Sequence, residues 1–236
     1  MTADIRRAGD RFRTTYDWLD ARHSFSFGRY YDPANVGFGA LLVHNDEVVA
    51  PGTGYDPHPH QDLEIVTWVL SGALVHEDSE GNSGIVRPGL AQRMSAGSGV
   101  RHSEKNDAGE PVHYVQMWVR PDEVDLVPSY QQAEVDDVLA TGELVPIASG
   151  LPRHRDTTAI RINQRDAGMS VARLRPDSSI QLPVAPYVHL FVAVGTIELE
   201  GAGQLRDGDA ARVVAADGQR VTAGPDGAEV LVWEMR

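Results

Sequence analysis

Cysteine is missing from all 236 residues. Its absence removes disulfide staples, thiolate zinc sites and a cysteine nucleophile together. Long apolar runs are missing too. No stretch comes near the roughly 20 residues needed to cross a bilayer, and no apolar segment follows Arg6-Arg7 as it would in a secretory leader. The expectation is a cytoplasmic protein without membrane contact. Positive charge is scarce: 21 Lys and Arg face 34 Asp and Glu, for a net charge of -13. Such an excess repels phosphate backbones and argues against direct nucleic-acid binding, although Arg6, Arg7, Arg11 and Arg13 form a local basic cluster. Helical periodicity is the last thing the chain lacks.

What remains is a β pattern. Apolar residues make up 42% of the chain, enough for a real core, in short Val-, Ile- and Leu-rich segments punctuated by 23 Gly and 14 Pro. This predicts an all-β fold with few short helices. Expected strands are 38–43, 64–70, 73–77, 92–95 and 113–119, with turns at Ser71-Gly72, Glu80-Gly81-Asn82, Pro88-Gly89 and 107–111. The second half echoes the first. Val194-Gly195-Thr196 resembles Leu70-Ser71-Gly72-Ala73 as a tight turn between apolar runs. Leu205 to Asp209 resembles Val86 to Leu90, and Val230 to Trp233 resembles Val115 to Trp118. Two related β units follow, 1–130 and 131–236, joined through a segment around 121–165 whose acidic stretch Glu134 to Asp137 suits a short helix.

The chemistry lies in two alternating pairs, His58-Pro59-His60 and His102-Ser103-Glu104. Alternate residues of a strand share a face, so two adjacent strands would bring three imidazoles and a carboxylate to one point. Pro59 belongs on an edge strand, where a site would open at a rim. Glu64 is the rival carboxylate, but four residues of straight strand separate it from His60 by about 13 Å. Asp62 is short and better suited to a loop or a supporting role. The glycines Gly97 and Gly99 lack the third glycine of a nucleotide loop; His102 stands in its place. His23, His44, His76, His113, His154 and His189 are isolated and read as surface or hydrogen-bonded core residues. By the repeat, the four ligand positions fall near Gln181, Pro183, Val221 and Ala223, so only the first unit is equipped. A mixed nitrogen and oxygen set suits one divalent transition metal. Iron(II) fits best, and zinc, manganese, nickel, cobalt and copper also suit it.

His58-Pro59-His60-x-x-x-Glu64 and Gly97-x-Gly99-x-x-His102-x-x-x-Asn106 resemble the paired motifs of the cupin superfamily. With Trp18-Leu19-Asp20, His23-Ser24-Phe25-Ser26-Phe27, Tyr30-Tyr31-Asp32-Pro33 and Met94 to Glu104, the chain is similar to the pirins; Pro128-Ser129-Tyr130-Gln131 also fits. The resemblance implies a bicupin, two cupin-type β-barrels with the metal in the amino-terminal one and an exchange of first strands between the halves allowed. It places the ligands on His58, His60, His102 and Glu104. It implies a quercetin 2,3-dioxygenase-type enzyme that cleaves a flavonol-like aromatic substrate with dioxygen and releases carbon monoxide. Glu104 would accept the substrate's enolic proton, and Phe25, Phe27 and Met94 either line the pocket or fill the core. The family also contains transcription cofactors and redox-responsive protein partners, so a metal-bearing interaction protein without turnover is the alternative reading, and a non-redox cupin enzyme such as an isomerase a third. A monomer is the expected state.

Overall fold

The computed structural model describes residues 2–236. Among them the first half of the chain forms β1 (Thr2–Arg6), β2 (Phe12–Tyr16), β3 (Leu19–His23), β4 (Leu41–Val49), β5 (Thr53–His60), β6 (Glu64–Ser71), β7 (Leu74–Asp78), β8 (Ser83–Val86), β9 (Leu90–Ser95), β10 (Val100–Asn106), β11 (Val112–Val119) and β12 (Ser129–Glu134). The second half forms α1 (Asp136–Leu139), β13 (Val145–Ser149), β14 (Ile160–Arg161), β15 (Ala167–Leu174), β16 (Ser179–Gln181), β17 (Ala185–Leu199), β18 (Gly203–Arg206), β19 (Ala210–Ala216) and β20 (Arg220–Met235). The fold is all-β, as composition and turn spacing predict. No helix among the described residues is long and apolar enough to cross a membrane.

Three sheets result. One has the order β12-β9-β6-β11-β4-β3-β2, a second β5-β10-β7-β8, and a third β1-β19-β17-β20-β15-β13-β14 with β16 on β20 and β18 on β17. The two smaller sheets sandwich a core of Leu19, Val49, Val69, Leu74, Val86 and Tyr114. Strands cross between the halves: β1 pairs with β19 in the second half, while β12, which straddles residues 130 and 131, pairs with β9 in the first.

One expectation fails. Val194-Gly195-Thr196 is not a turn; it lies inside the 15-residue strand β17. Gly195, at φ +85°, absorbs a register irregularity while pairing with β20 continues on both sides. A glycine in left-handed conformation serves a bulge as readily as a turn. The first half does break at the matching point, with Gly72 turning β6 into β7. The strand expected at 38–43 also starts later, at Leu41, and runs on to Val49.

Strand alternation sorts residues between cores. On β20, Val230 and Val232 join the interior of the second half, whereas Leu231, Trp233 and Met235 join a core shared with Val66, Trp68, Val115 and Met117 of the first. The two halves are thus fused through an apolar seam.

Two buried histidines sit at one end of that seam. His44 and His189 have ring centroids 4.7 Å apart, and both are fully buried. Burial, with Arg212 and Arg11 nearby, pushes His189 down to about 3. The unfolded chain, with an ordinary imidazole, binds a proton that the folded chain refuses. Stability is therefore fully present above about pH 6.5 and falls as the pH drops toward 3, by up to about 1.4 kcal/mol per pH unit for each such group. His189→Leu should flatten the fall of urea-unfolding free energy between pH 6.5 and 4.5; an unchanged slope would refute the assignment.

Candidate metal centre

β5 and β10 run antiparallel, with His102 opposite His58 and Val100 opposite His60. β5 is the edge strand, which is where Pro59 can sit without breaking a ladder. Just before β10, Gly97 and Gly99 take φ values of +47° and +137°. A Cβ on Gly97 would lie 2.0 Å from the Leu126 carbonyl oxygen, so the turn that aims His102 requires glycine.

The three imidazoles converge. Ring centroids are 4.5 Å apart for His58–His102, 4.9 Å for His58–His60 and 5.0 Å for His60–His102. One ring nitrogen from each lies within 4.8 Å of the others. Glu104 is brought beside His102 but not within that distance of the whole trio. Instead it forms a second set with His102 and His76. The cause is a bulge between His102 and Glu104, which sets Glu104 opposite Tyr55 on β5 and opposite His76 on β7.

Electrostatics favour the ligating forms of the histidines. Burial and neighbouring imidazoles push His60 to about 4 and His102 to about 2, so both rings are neutral at pH 7. Nε2 of each is buried without a hydrogen-bond partner. His58 Nδ1 lies 2.8 Å from the Asp56 carbonyl, so that nitrogen donates and Nε2 is the one free to face an ion. Imidazole nitrogens with an adjacent carboxylate form a donor set that fits a borderline divalent ion such as iron(II), nickel or zinc. Burial pushes Glu104 up to about 7, opposed by hydrogen bonds from Gln116. Gln116 Nε2 donates to both carboxylate oxygens at 2.9 and 2.8 Å, and Trp118 Nε1 donates to Gln116 Oε1 at 3.0 Å, fixing the amide's orientation.

The other expected residues sort clearly. Glu64 is buried with its oxygens engaged by Ser95 Oγ at 2.8 Å and by Asn163 N and Nδ2 at 3.1 Å each, away from the histidines. Asp62 is a loop residue that accepts from Asp125 N–H at 2.8 Å. Phe25 and Met94 are core, while Phe27 lines a cleft of about 670 Å³ with Leu63, Trp118 and Arg120. The rings of His60 and Trp118 meet nearly perpendicular with centroids 4.9 Å apart, which sets that cleft beside the histidines. A second cleft, of about 450 Å³, opens on His60 itself beside Pro59 and Arg101.

Four residues of the cluster carry no signal of their own in the sequence. His76 stands alone there, and only the β7–β10 register brings it to His102. Gln116 and Trp118 alternate along an expected strand, but nothing local says which face looks inward. Glu47 is buried and accepts from the hydroxyls of Tyr55 and Tyr114, both at 2.8 Å.

Gly54 supports the bulge. At φ +146° its Cα faces the neighbouring strand so closely that a Cβ would lie 2.2 Å from the Glu104 carbonyl oxygen. Gly54→Ala should cost more than about 1 kcal/mol and displace Glu104. Denaturant melts and metal titration of the variant check both effects; wild-type values would refute the role of the bulge.

Residues 6–119 match the family model described as pirin, and residues 147–235 match that of the quercetinase C-terminal cupin domain. A Mycobacterium tuberculosis protein named "Putative quercetin 2,3-dioxygenase" is 57% identical over 235 residues, covering 99% of this chain and 95% of its own. The Escherichia coli K12 quercetin 2,3-dioxygenase is 36% identical, covering 98% and 97%. The crystal structure of the bacterial pirin YhhW from Escherichia coli in complex with nickel(II) superposes with a TM-score of 0.86 at 33% identity, covering 99% of each chain. With both halves matched and relatives aligned along nearly its whole length, the chain belongs to the pirin family.

Proposed function

We propose that His58, His60, His102 and Glu104 hold one divalent transition-metal ion, and that the protein is a quercetin 2,3-dioxygenase-type enzyme acting on a small aromatic substrate with dioxygen. The observation that carries this reading is the meeting of three imidazoles, with Nε2 of His60 and His102 buried and unpartnered. Iron(II) is the ion the donor set suits best; nickel(II) in the YhhW complex belongs to that protein. When bound, the ion would supply Lewis acidity and the electron chemistry that an aromatic ring and dioxygen lack by themselves.

The chain's own residues do the rest. Glu104, held near neutrality by burial, is matched to taking a proton from an enolic hydroxyl at pH 7. Gln116 keeps its carboxylate aimed while the proton moves. Trp118 and Phe27, in edge-to-face contact at 5.6 Å, give the larger cleft an aromatic wall on which a planar substrate can lie.

The test is to load the purified, untagged protein with iron, manganese, nickel, cobalt or copper in turn and add quercetin. Loss of quercetin with oxygen uptake and carbon monoxide release is the expected result. No turnover with any of these ions would overturn the dioxygenase reading, while elemental analysis decides ion binding separately.

A further inference from the structure

We propose that His76 and Asp78 act as positioning residues that fix the tautomer of His102, so that its Nε2 is always the nitrogen offered to an ion. The inference rests on the metal-binding reading above. β7 lies on the side of β10 opposite β5, with Asp78 facing His102 and His76 facing Glu104. His76 is therefore the diagonal neighbour of His102 on the same face, within reach of a long side chain.

The hydrogen-bond logic runs from the carboxylate outward. Asp78 is anchored by five contacts within its own hairpin and to His76. Its Oδ1 accepts from the backbone N–H groups of Glu80 and Asn82, both at 3.0 Å, and Asn82 Nδ2 donates to Oδ1 at 3.1 Å and to Oδ2 at 3.0 Å. Asp78 Oδ2 also lies 3.3 Å from His76 Nε2. A carboxylate only accepts, so His76 Nε2 carries the hydrogen. If His76 Nδ1 also carried a hydrogen, His102 Nδ1 would have to accept and the His102 Nε2–H would be buried with no acceptor; the arrangement that avoids this leaves the lone pair of His76 on Nδ1. This lone pair faces His102 Nδ1 at 3.4 Å. His102 Nδ1 must therefore donate, which leaves the lone pair on Nε2, the buried nitrogen without a protein partner.

One further contact holds the relay in place. Tyr130 stacks on His76 with centroids 4.7 Å apart and planes 23° from parallel, which restrains ring tilt. Both nitrogens of His76 are already engaged, one with Asp78 and one with His102. His76 is thus a support for a ligand, and its membership of the second close set with Glu104 follows from that support. Such partners orient metal-binding histidines and raise their basicity.

Side-chain nitrogen NMR of histidine-labelled protein tests this, on wild type, His76→Phe and His76→Gln, before and after adding zinc. Phenylalanine keeps the stack on Tyr130 but removes both nitrogens. Glutamine keeps an acceptor for His102 and a donor for Asp78. In metal-free wild type the expected forms are Nδ1–H on His102 and Nε2–H on His76. In His76→Phe, His102 should populate both tautomers, and zinc affinity by chelator competition should fall by about 10–100-fold; His76→Gln should recover most of the loss. Nε2–H on His102 in wild type, an unchanged tautomer in His76→Phe, or a zinc bond to a His76 nitrogen would each overturn the proposal. Failure of wild type to take up zinc would strike the metal-binding reading instead, and the metal-free tautomers would still decide this one.

Discussion

His102→Ala is expected to abolish stoichiometric metal uptake. His102 is the one residue common to both close sets, so its loss damages the site whichever carboxylate or imidazole completes it. Loss of a supporting partner alone costs roughly 10–100-fold in affinity, and deletion of a ligand should cost more. The effect has a thermodynamic echo. An ion present at 100 times its dissociation constant stabilises the folded state by about 2.7 kcal/mol. Wild type should gain that increment on addition of iron(II), nickel or zinc, and His102→Ala should not. His189→Ala is the matched control, because His189 is also a fully buried histidine but sits in the seam between the halves. Elemental analysis of untagged protein reads the outcome directly. Equal metal in the two variants would mean that the ion, if any, binds elsewhere.

Trp233→Ala should be the most damaging single change to the fold itself. Trp233 is fully buried on β20, in the core that joins the halves, and its Nε1 donates to Met117 Sδ on β11 at 3.2 Å. Truncating a buried tryptophan typically costs about 3–5 kcal/mol, because transfer free energy and cavity formation add. A natural domain has only about 5–15 kcal/mol to lose. The denaturation midpoint should therefore fall sharply, and Trp233→Phe should fall less. Trp68 is also fully buried in this core, and it donates to Glu229 at 2.7 Å, a polar tie between the halves beside the apolar one. A loss under about 1 kcal/mol would show that the seam collapses around the cavity, contrary to the usual behaviour of a close-packed interior.

The fold class was legible because the relevant signals are local. Glu64 to Leu70 reads as a strand from its β-branched run and its Ser-Gly stop, and β6 ends one residue beyond it. Val115 and Trp118 fall within β11 for the same reason. The acidic stretch at 134–137 does contain the start of the only α-helix among the described residues. What failed was the meaning of Gly195, since turn and bulge demand the same backbone angle and only the distant partner β20 decides between them. The candidate site divides in the same way. The histidine pairs are legible because alternation is local. His76 and Gln116 are not, since their places depend on strands that meet only after folding. The resemblance read from residues 18–33 and 58–104 holds, and it covers the motifs; it did not extend to the network that supports them.

The pairing of β1 with β19, Thr2 opposite Val214, sets an order on assembly. β1 leaves the ribosome about 200 residues before its partner strand does. At the usual pace of synthesis, about 5–20 residues per second, residues 2–6 wait for about ten seconds or more with an unsatisfied backbone. This early strand is therefore late to find its place, and a nascent chain halted before residue 210 would hold residues 2–6 with no β19 to dock against.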